Sequence, residues 1–295
     1  MTTAAGPPIR IRGLTKRYGE AFAVKDLNLD IQEGEVFSLL GPNGAGKTTT
    51  VEILEGYRRR DGGEVTVLEQ DPNTAGRDWR SRIGIVPQTT NENAELSVEE
   101  LVRHFAAYYP NPRDPDEVIT AVGLAEKRTS RSRSLSGGQR RRLDVALGIV
   151  GRPQLLFLDE PTTGFDPQAR HSFWELIRRL RTDGTTILLT THYLDEAEQL
   201  ADRVGVIAGG ELLAVDSPSR LGGRAAREVS VRWTEDGAAR EELTAAPTKV
   251  VAELISRFDG EIPGLQVLRP SLEDVYLSMI KGKDTTAIVS DGSLR

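Results

Sequence analysis

The sequence predicts an α/β fold: a doubly wound, mainly parallel sheet core with a helical insertion, followed by a small α+β extension. Three observations carry this. Continuous apolar runs at 35–40, 155–158 and 187–189 read as buried strands, and helical faces follow them. A glycine-rich turn separates the first of these strands from its helix. The stretch 89–150 shows helical rather than strand periodicity.

The chain has 295 residues, 44 acidic against 38 basic, a formal net charge of −6 and no cysteine. That length holds one large domain, or a large domain with a small appendage, and is ample for a buried core. Without cysteine there is no disulfide framework, thiolate metal site or cysteine nucleophile. The acidic balance disfavours a general nucleic-acid role, which needs a basic surface. No apolar run approaches the roughly 18–20 residues that cross a bilayer. The start, MTTAAGPPIR, lacks a charged segment followed by an apolar core, so the chain reads as cytosolic.

The elements follow in order. Ile9, Ile11 and Leu14 alternate with polar residues, Tyr18-Gly19 marks a turn, and 23–31 alternates again. Glu33-Gly34 leads into the buried run 35–40, then the glycine-rich turn, then a helix over about 47–55. Strands are expected at 64–68 and 83–86. In the insertion, Ser97-x-x-Glu100 is a capping box that starts a helix with Val98, Leu101, Val102 and Phe105 on one face. Leu143, Ala146, Leu147 and Val150 form a second face, closed by Gly151-Arg152-Pro153. After the strand 155–158, Phe173, Leu176, Ile177 and Leu180 make a helix face, 187–189 a strand, and Leu194, Ala197, Leu200 and Ala201 another helix face. Residues 204–214 read as a hairpin across Gly209-Gly210. The texture changes past Pro218. A domain of 1–220 is therefore expected, with 221–295 as an accessory domain containing a strand at Val229, Val231 and Trp233, a helix over 250–258, a strand at 265–268 and a helix over 271–280. The tail after 281 is polar and reads as disordered.

Gly41-Pro42-Asn43-Gly44-Ala45-Gly46-Lys47-Thr48 fits the pattern G-x-x-x-x-G-K-[ST]. Its glycines let successive backbone N–H groups converge on phosphate oxygens, and the next helix points its positive end at them. Lys47 reaches the β and γ phosphates, and the Thr48 hydroxyl is a Mg²⁺ ligand. The pattern arises by chance in about one chain in a hundred of this length. Here it also has the strand-before, helix-after context that it requires, and so marks a nucleotide site. Asp159-Glu160 ends the apolar strand at 155–158. Asp159 is placed to hold Mg²⁺, and Glu160 to take a proton from an attacking water.

Leu135-Ser136-Gly137-Gly138-Gln139 stands before the second insertion helix and forms another anion cradle at a helix N-terminus. One nucleotide does not need two cradles from one chain, so the second is best explained as acting in trans. With these motifs in order, residues of about 7–220 closely resemble the ATP-binding subunits of ABC transporters. That resemblance implies a P-loop NTPase core with an antiparallel β subdomain and a helical subdomain at about 89–150. It further implies that Tyr18 stacks on adenine, that the cradle through Thr49 binds ATP, and that Gln88 contacts Mg²⁺ and the water. Thr163-Gly164-Phe165-Asp166-Pro167 resembles the D-loop, with Phe165 where Leu is usual, and His192 the switch histidine near the γ-phosphate. Taken singly these have ordinary readings: Asp166-Pro167 is a good N-cap and N1 pair, and His192 a strand-end residue. Taken jointly, in this order, they do not.

The resemblance implies a head-to-tail homodimer with two ATP molecules between the cradle of one chain and the LSGGQ of the other. It implies a separate transmembrane permease as partner, no nucleic acid, and a place at the cytoplasmic face of a bacterial membrane. Arg269-Pro270-Ser271-Leu272-Glu273-Asp274-Val275-Tyr276-Leu277 resembles the terminal helix of the drug-resistance, daunorubicin-exporter type, which points to export of a drug, antibiotic or lipid-like compound. The alternative is a soluble ABC ATPase acting on ribosomes or DNA; those types usually carry two cassettes or a long coiled coil, which 295 residues do not accommodate.

Overall fold

The computed structural model describes residues 6–88, 95–226, 228–258 and 260–290. The first residues of the expected insertion, 89–94, lie outside the described residues. The chain divides into two compact units, Met1–Leu213 and Ala214–Arg295, instead of after residue 220. The last strand of the main sheet, Glu211–Asp216, straddles that division.

In the first unit, β1 (Ile9–Tyr18) and β2 (Ala21–Ile31) pair antiparallel, Ile9 opposite Ile31 and Tyr18 opposite Ala21. The apolar alternation of β1 buries Ile9, Ile11 and Leu14 completely. After β3 (Val36–Leu40) and α1 (Lys47–Leu54), β4 (Gly62–Val67) pairs with the other edge of β1, giving a three-stranded sheet in the order β2-β1-β4. A short α2 (Arg77–Arg80) leads to β5 (Ile83–Val86).

The insertion comprises α3 (Val98–Ala106), α4 (Pro115–Ala121) and α5 (Gly137–Ile149). Ser97 caps α3 as expected: its Oγ accepts from Glu100 N, while Glu100 Oε2 accepts from Ser97 N at 2.8 Å. Val98, Leu101 and Val102 of α3, Val118 and Ile119 of α4, and Leu143, Ala146 and Ile149 of α5 belong to one apolar cluster. That cluster continues through Leu156 and Leu158 of β6 (Leu155–Asp159), so the insertion shares the core of the sheet.

α6 (Pro167–Thr182), β7 (Thr186–Thr191), α7 (Leu194–Leu200), β8 (Arg203–Ala208) and β9 (Glu211–Asp216) complete the six-stranded sheet, in the order β5-β6-β7-β3-β8-β9. The pairings of β5 with β6, β6 with β7, and β3 with both β7 and β8 are parallel. Every residue of β3, β6 and β7 is buried, as strands covered on both faces must be. Leu40 lies opposite Thr191, and Asp159 opposite Thr190. The C-terminal ends of three adjacent strands therefore open at one place, where the order of a doubly wound sheet puts its ligand.

In the second unit, β10 (Val229–Glu235) pairs antiparallel with β11 (Ala238–Thr244) on one side and, past α8 (Pro247–Phe258), with β12 (Gln266–Leu268) on the other. Val231 and Trp233 pack with Val250, Leu254 and Ile262 into a small core. Ser271 caps the last helix, α9 (Leu272–Ser290), accepting from Asp274 N at 3.1 Å. α9 corrects the expected tail, because it continues past Lys281 to Ser290: once its first turns are fixed, each further residue adds a hydrogen bond. Residues 291–295 of that tail lie outside the described residues. Among the described residues no helix is long and apolar enough to cross a membrane.

Candidate active site

β3 ends where the glycine-rich loop begins, and α1 starts at Lys47. Gly44 and Gly46 have φ of +78° and +103°, a region that a side chain disfavours. A Cβ at Gly46 would also collide with the Ala23 carbonyl oxygen. The backbone can thus curl into a phosphate-sized nest and lie close against its neighbours. Lys47, 5% exposed, folds over the loop and donates from Nζ to the carbonyls of Gly41 (2.7 Å) and Pro42 (3.1 Å). Burial pulls its pKa down, against the opposing pull of Glu160 and Asp159. Asn43, Lys47, Thr48, Thr49, Gln88 and Glu160 line a cavity of about 360 Å³ over this loop. Ala45 is buried behind it.

The strand ends supply the remaining groups. Thr48 Oγ1 lies 3.4 Å from Asp159 Oδ2, while Thr190 donates to Asp159 Oδ1. A hydroxyl and a carboxylate this close, beside the cavity, are hard oxygen donors that fit Mg²⁺, an ion that takes one or two carboxylates plus phosphate and water. Among the described residues no group of three or more His, Cys, Asp or Glu is arranged to hold a metal ion.

Glu160 is the hub. Its φ of +46° is unusual for a residue other than glycine, and its N–H donates to Thr190 Oγ1 at 3.1 Å. Gln88 Nε2 donates to Glu160 Oε2 at 3.2 Å. His192 Nδ1 lies 3.2 Å, and Lys47 Nζ 3.8 Å, from Glu160 Oε1. Three residues from three separate motifs therefore meet on one carboxylate, that of Glu160, at the foot of the phosphate loop.

Other expected residues stand apart from the cavity lining. Tyr18 is 47% exposed, with Lys16 Nζ and Arg58 Cζ lying 5.6 and 5.4 Å from its ring centroid. Ser136 caps α5, and Gln139 closes the capping box by accepting from Ser136 N at 3.1 Å; this exposed turn, with Gly137 and Gly138, is not part of the cavity. Asp166 caps α6, accepting from Ala169 N at 2.8 Å. Phe165 is buried edge-on against Phe173, centroids 5.9 Å apart, and faces Gly138.

Sequence reasoning did not single out Thr190, Arg141 or Glu55. Thr190, two residues before His192, holds both Asp159 and the Glu160 backbone. Arg141 is buried within the run Arg140-Arg141-Arg142, and helical spacing does not mark it, since Arg142 stands at the same spacing from buried Val145, Ala146 and Ile149. Glu55, half-buried after the end of α1, has its pKa pushed up to about 8, first by desolvation and then by the charges of Asp159 and Glu52.

Residues 24–163 match the ABC transporter family. The Nod factor export ATP-binding protein I of Burkholderia orbicola (strain AU 1054) is 37% identical over 297 residues, covering 92% of this chain and 96% of its own. The fluoroquinolones export ATP-binding protein of Mycobacterium tuberculosis (strain ATCC 25618 / H37Rv) is 40% identical over 237 residues, 79% of each chain. Among solved structures, a dimeric ATP-binding cassette in a post-hydrolysis state, bound to ADP and phosphate, is similar with a TM-score of 0.64 and 26% identity, over 71% of this chain and 98% of its own. A phosphate loop facing a strand-end carboxylate, the motif order and these likenesses agree: the chain belongs to the ABC transporter family, as one of its ATP-binding, ATP-hydrolysing subunits.

Proposed function

We propose that this subunit binds MgATP, pairs head-to-tail with a second copy and powers export of a drug, antibiotic or lipid-like compound through a separate transmembrane permease, at the cytoplasmic face of the membrane. The observation that carries the chemistry is the convergence of Gln88, His192 and Lys47 on Glu160. Glu160 accepts a proton from the attacking water as the water oxygen bonds to the γ-phosphorus. The bond from that phosphorus to the β–γ bridging oxygen breaks, giving ADP and inorganic phosphate. Gln88 and His192 hold the water and the carboxylate in line. Lys47 exchanges its two loop carbonyls for phosphate oxygens and offsets their charge. Thr48 and Asp159 would hold Mg²⁺, which supplies positive charge at the phosphates. Tyr18 takes the adenine, and Ser136 to Gln139, with Asp166, serve the partner's nucleotide.

The exposed Ser136 turn, separate from the cavity, supports a shared site. The relatives named for export support that direction of transport. The test is affinity purification of the full-length chain from detergent-solubilised membranes. A polytopic membrane protein recovered in stoichiometric amount is expected; recovery with ribosomes or DNA instead would sink the transport reading.

A further inference from the structure

Arg141 stands on α5, the helix that Ser136 caps, but its side chain runs the other way, into the chain's own hydrolytic site. Only 8% exposed, it donates from Nε to the Pro161 carbonyl (3.1 Å), from Nη2 to the Asp159 carbonyl (2.5 Å), and from Nη1 to the Pro87 carbonyl. These acceptors are not scattered. Pro87 precedes Gln88, while Asp159 and Pro161 bracket Glu160. The same fork therefore grips the backbone on both sides of the hydrogen bond between Gln88 and Glu160.

Guanidinium suits this role. It is planar, always charged, and presents five N–H donors at fixed angles, whereas a lysine ammonium is a point on a flexible stem. Burying such a charge is costly unless its donors are satisfied, and here each of the three guanidinium nitrogens donates to a main-chain carbonyl. The helix that carries it is held against β5, the strand leading to Gln88: a Cβ at Gly148 would come within 2.7 Å of Val86 Cγ2. The anchor is thus stiff at its root and forked at its tip.

We infer that Arg141 is a positioning residue which fixes, within its own chain, the spacing of Gln88 and Glu160 and hence the seat of the attacking water. This rests on the shared-site reading above, in which the Ser136 turn of the same helix serves the other nucleotide. The two duties of α5 can therefore be separated by asking which site suffers when Arg141 is lost.

The experiment uses mixed dimers of two differently tagged full-length copies, one carrying Glu160→Gln so that only the other copy's site turns over. First-turnover hydrolysis of MgATP is measured with Arg141→Met placed either in the copy with intact Glu160 or in the Glu160→Gln copy. The expected loss is about tenfold or more in the first placement and at least about fivefold smaller in the second. Arg141→Lys in the first placement should recover part of the rate, and it carries the test if the Met variant does not fold. Equal losses in both placements, or a larger loss in the second, would overturn the inference. A readout without turnover is ATP-driven dimerisation in the Glu160→Gln background: adding Arg141→Met should change the dissociation constant by less than about threefold. A folded double variant that no longer dimerises would show that Arg141 serves the Ser136 turn, and would also overturn it. Ser136→Gly in the Glu160→Gln copy is the separate control: if it fails to slow the intact copy's site, the shared-site reading is what fails.

Discussion

Gln88 and Glu160 are joined by a 3.2 Å hydrogen bond although 72 residues separate them in the chain. The contact follows from strand register. β5 and β6 are parallel neighbours with Val86 opposite Leu158, so the two residues just beyond each strand emerge side by side. Because Glu160 also faces His192 and Lys47, its carboxylate is already surrounded by donors.

Glu160→Gln keeps the shape and the contact with Gln88 but removes the basic oxygen. Its turnover should fall by about 10²–10⁴-fold while ATP affinity stays near that of the native chain. With hydrolysis blocked, ATP should hold the two copies together, visible as a dimer by size exclusion. A variant that hydrolyses at the native rate would remove Glu160 from the role of base. Combining this change with Gln88→Ala should cost little more than the single change, because both residues act on the same water.

The sheet core was legible because its strands, buried on both faces, are written as unbroken apolar runs. The cradle was legible because a backbone nest needs glycine at particular positions and a lysine at one. β11 was missed for the opposite reason: Ala-Ala-Arg-Glu-Glu-Leu-Thr is an exposed edge strand, held by main-chain pairing to β10 and without apolar alternation. Arg141 was missed because its partners are carbonyls, which every residue has, so nothing in the sequence marks them. The hub at Glu160 was legible as a set of roles, but the meeting of Gln88, His192 and Lys47 on one carboxylate depends on strand order, which local patterning does not encode.

The observed cap at Ser136 and the residue's proposed role in the shared site can be separated by substitution. The Oγ caps α5, and replacing an N-cap serine with alanine costs about 1 kcal/mol, but with glycine only a few tenths. Ser136→Gly should therefore unfold in urea close to the native midpoint. Turnover should nonetheless fall by about tenfold or more, with ATP binding to the monomer intact, if the lost hydroxyl serves the partner's nucleotide as proposed. Unchanged turnover at native stability would refute the assignment.

Gly84 tests how tightly the insertion is seated. An added Cβ would collide with the Gly148 carbonyl oxygen and would lie 2.9 Å from Leu156 Cδ1 and 3.0 Å from Pro153 Cγ. The Gly148 carbonyl is backbone of α5, whose Leu143, Ala146 and Ile149 are packed in the apolar cluster, so it cannot swing aside as a side-chain tip can. Gly84→Ala should lower unfolding free energy by about 1–3 kcal/mol or more in urea melts. A change below about 0.5 kcal/mol would mean that helix and strand can separate at little cost.

Glu55 gives a pH signature. Its folded pKa, about 8, lies above the ordinary glutamate value of 4.5 that holds in the unfolded chain, so the folded state retains a proton that the unfolded chain has released. The sign follows: the contribution to stability is whole below about pH 4.5 and is lost as pH rises through about 8. The limiting slope for one group is about 1.4 kcal/mol per pH unit. Glu55→Gln has no proton to lose. In urea melts without nucleotide or metal, its stability relative to the native chain should rise steadily from pH 5 to pH 8, then level off. Parallel profiles for the two proteins would show that Glu55 is ionised in the fold. That outcome would require a counter-charge beside Glu55, since Asp159 and Glu52 both raise its pKa.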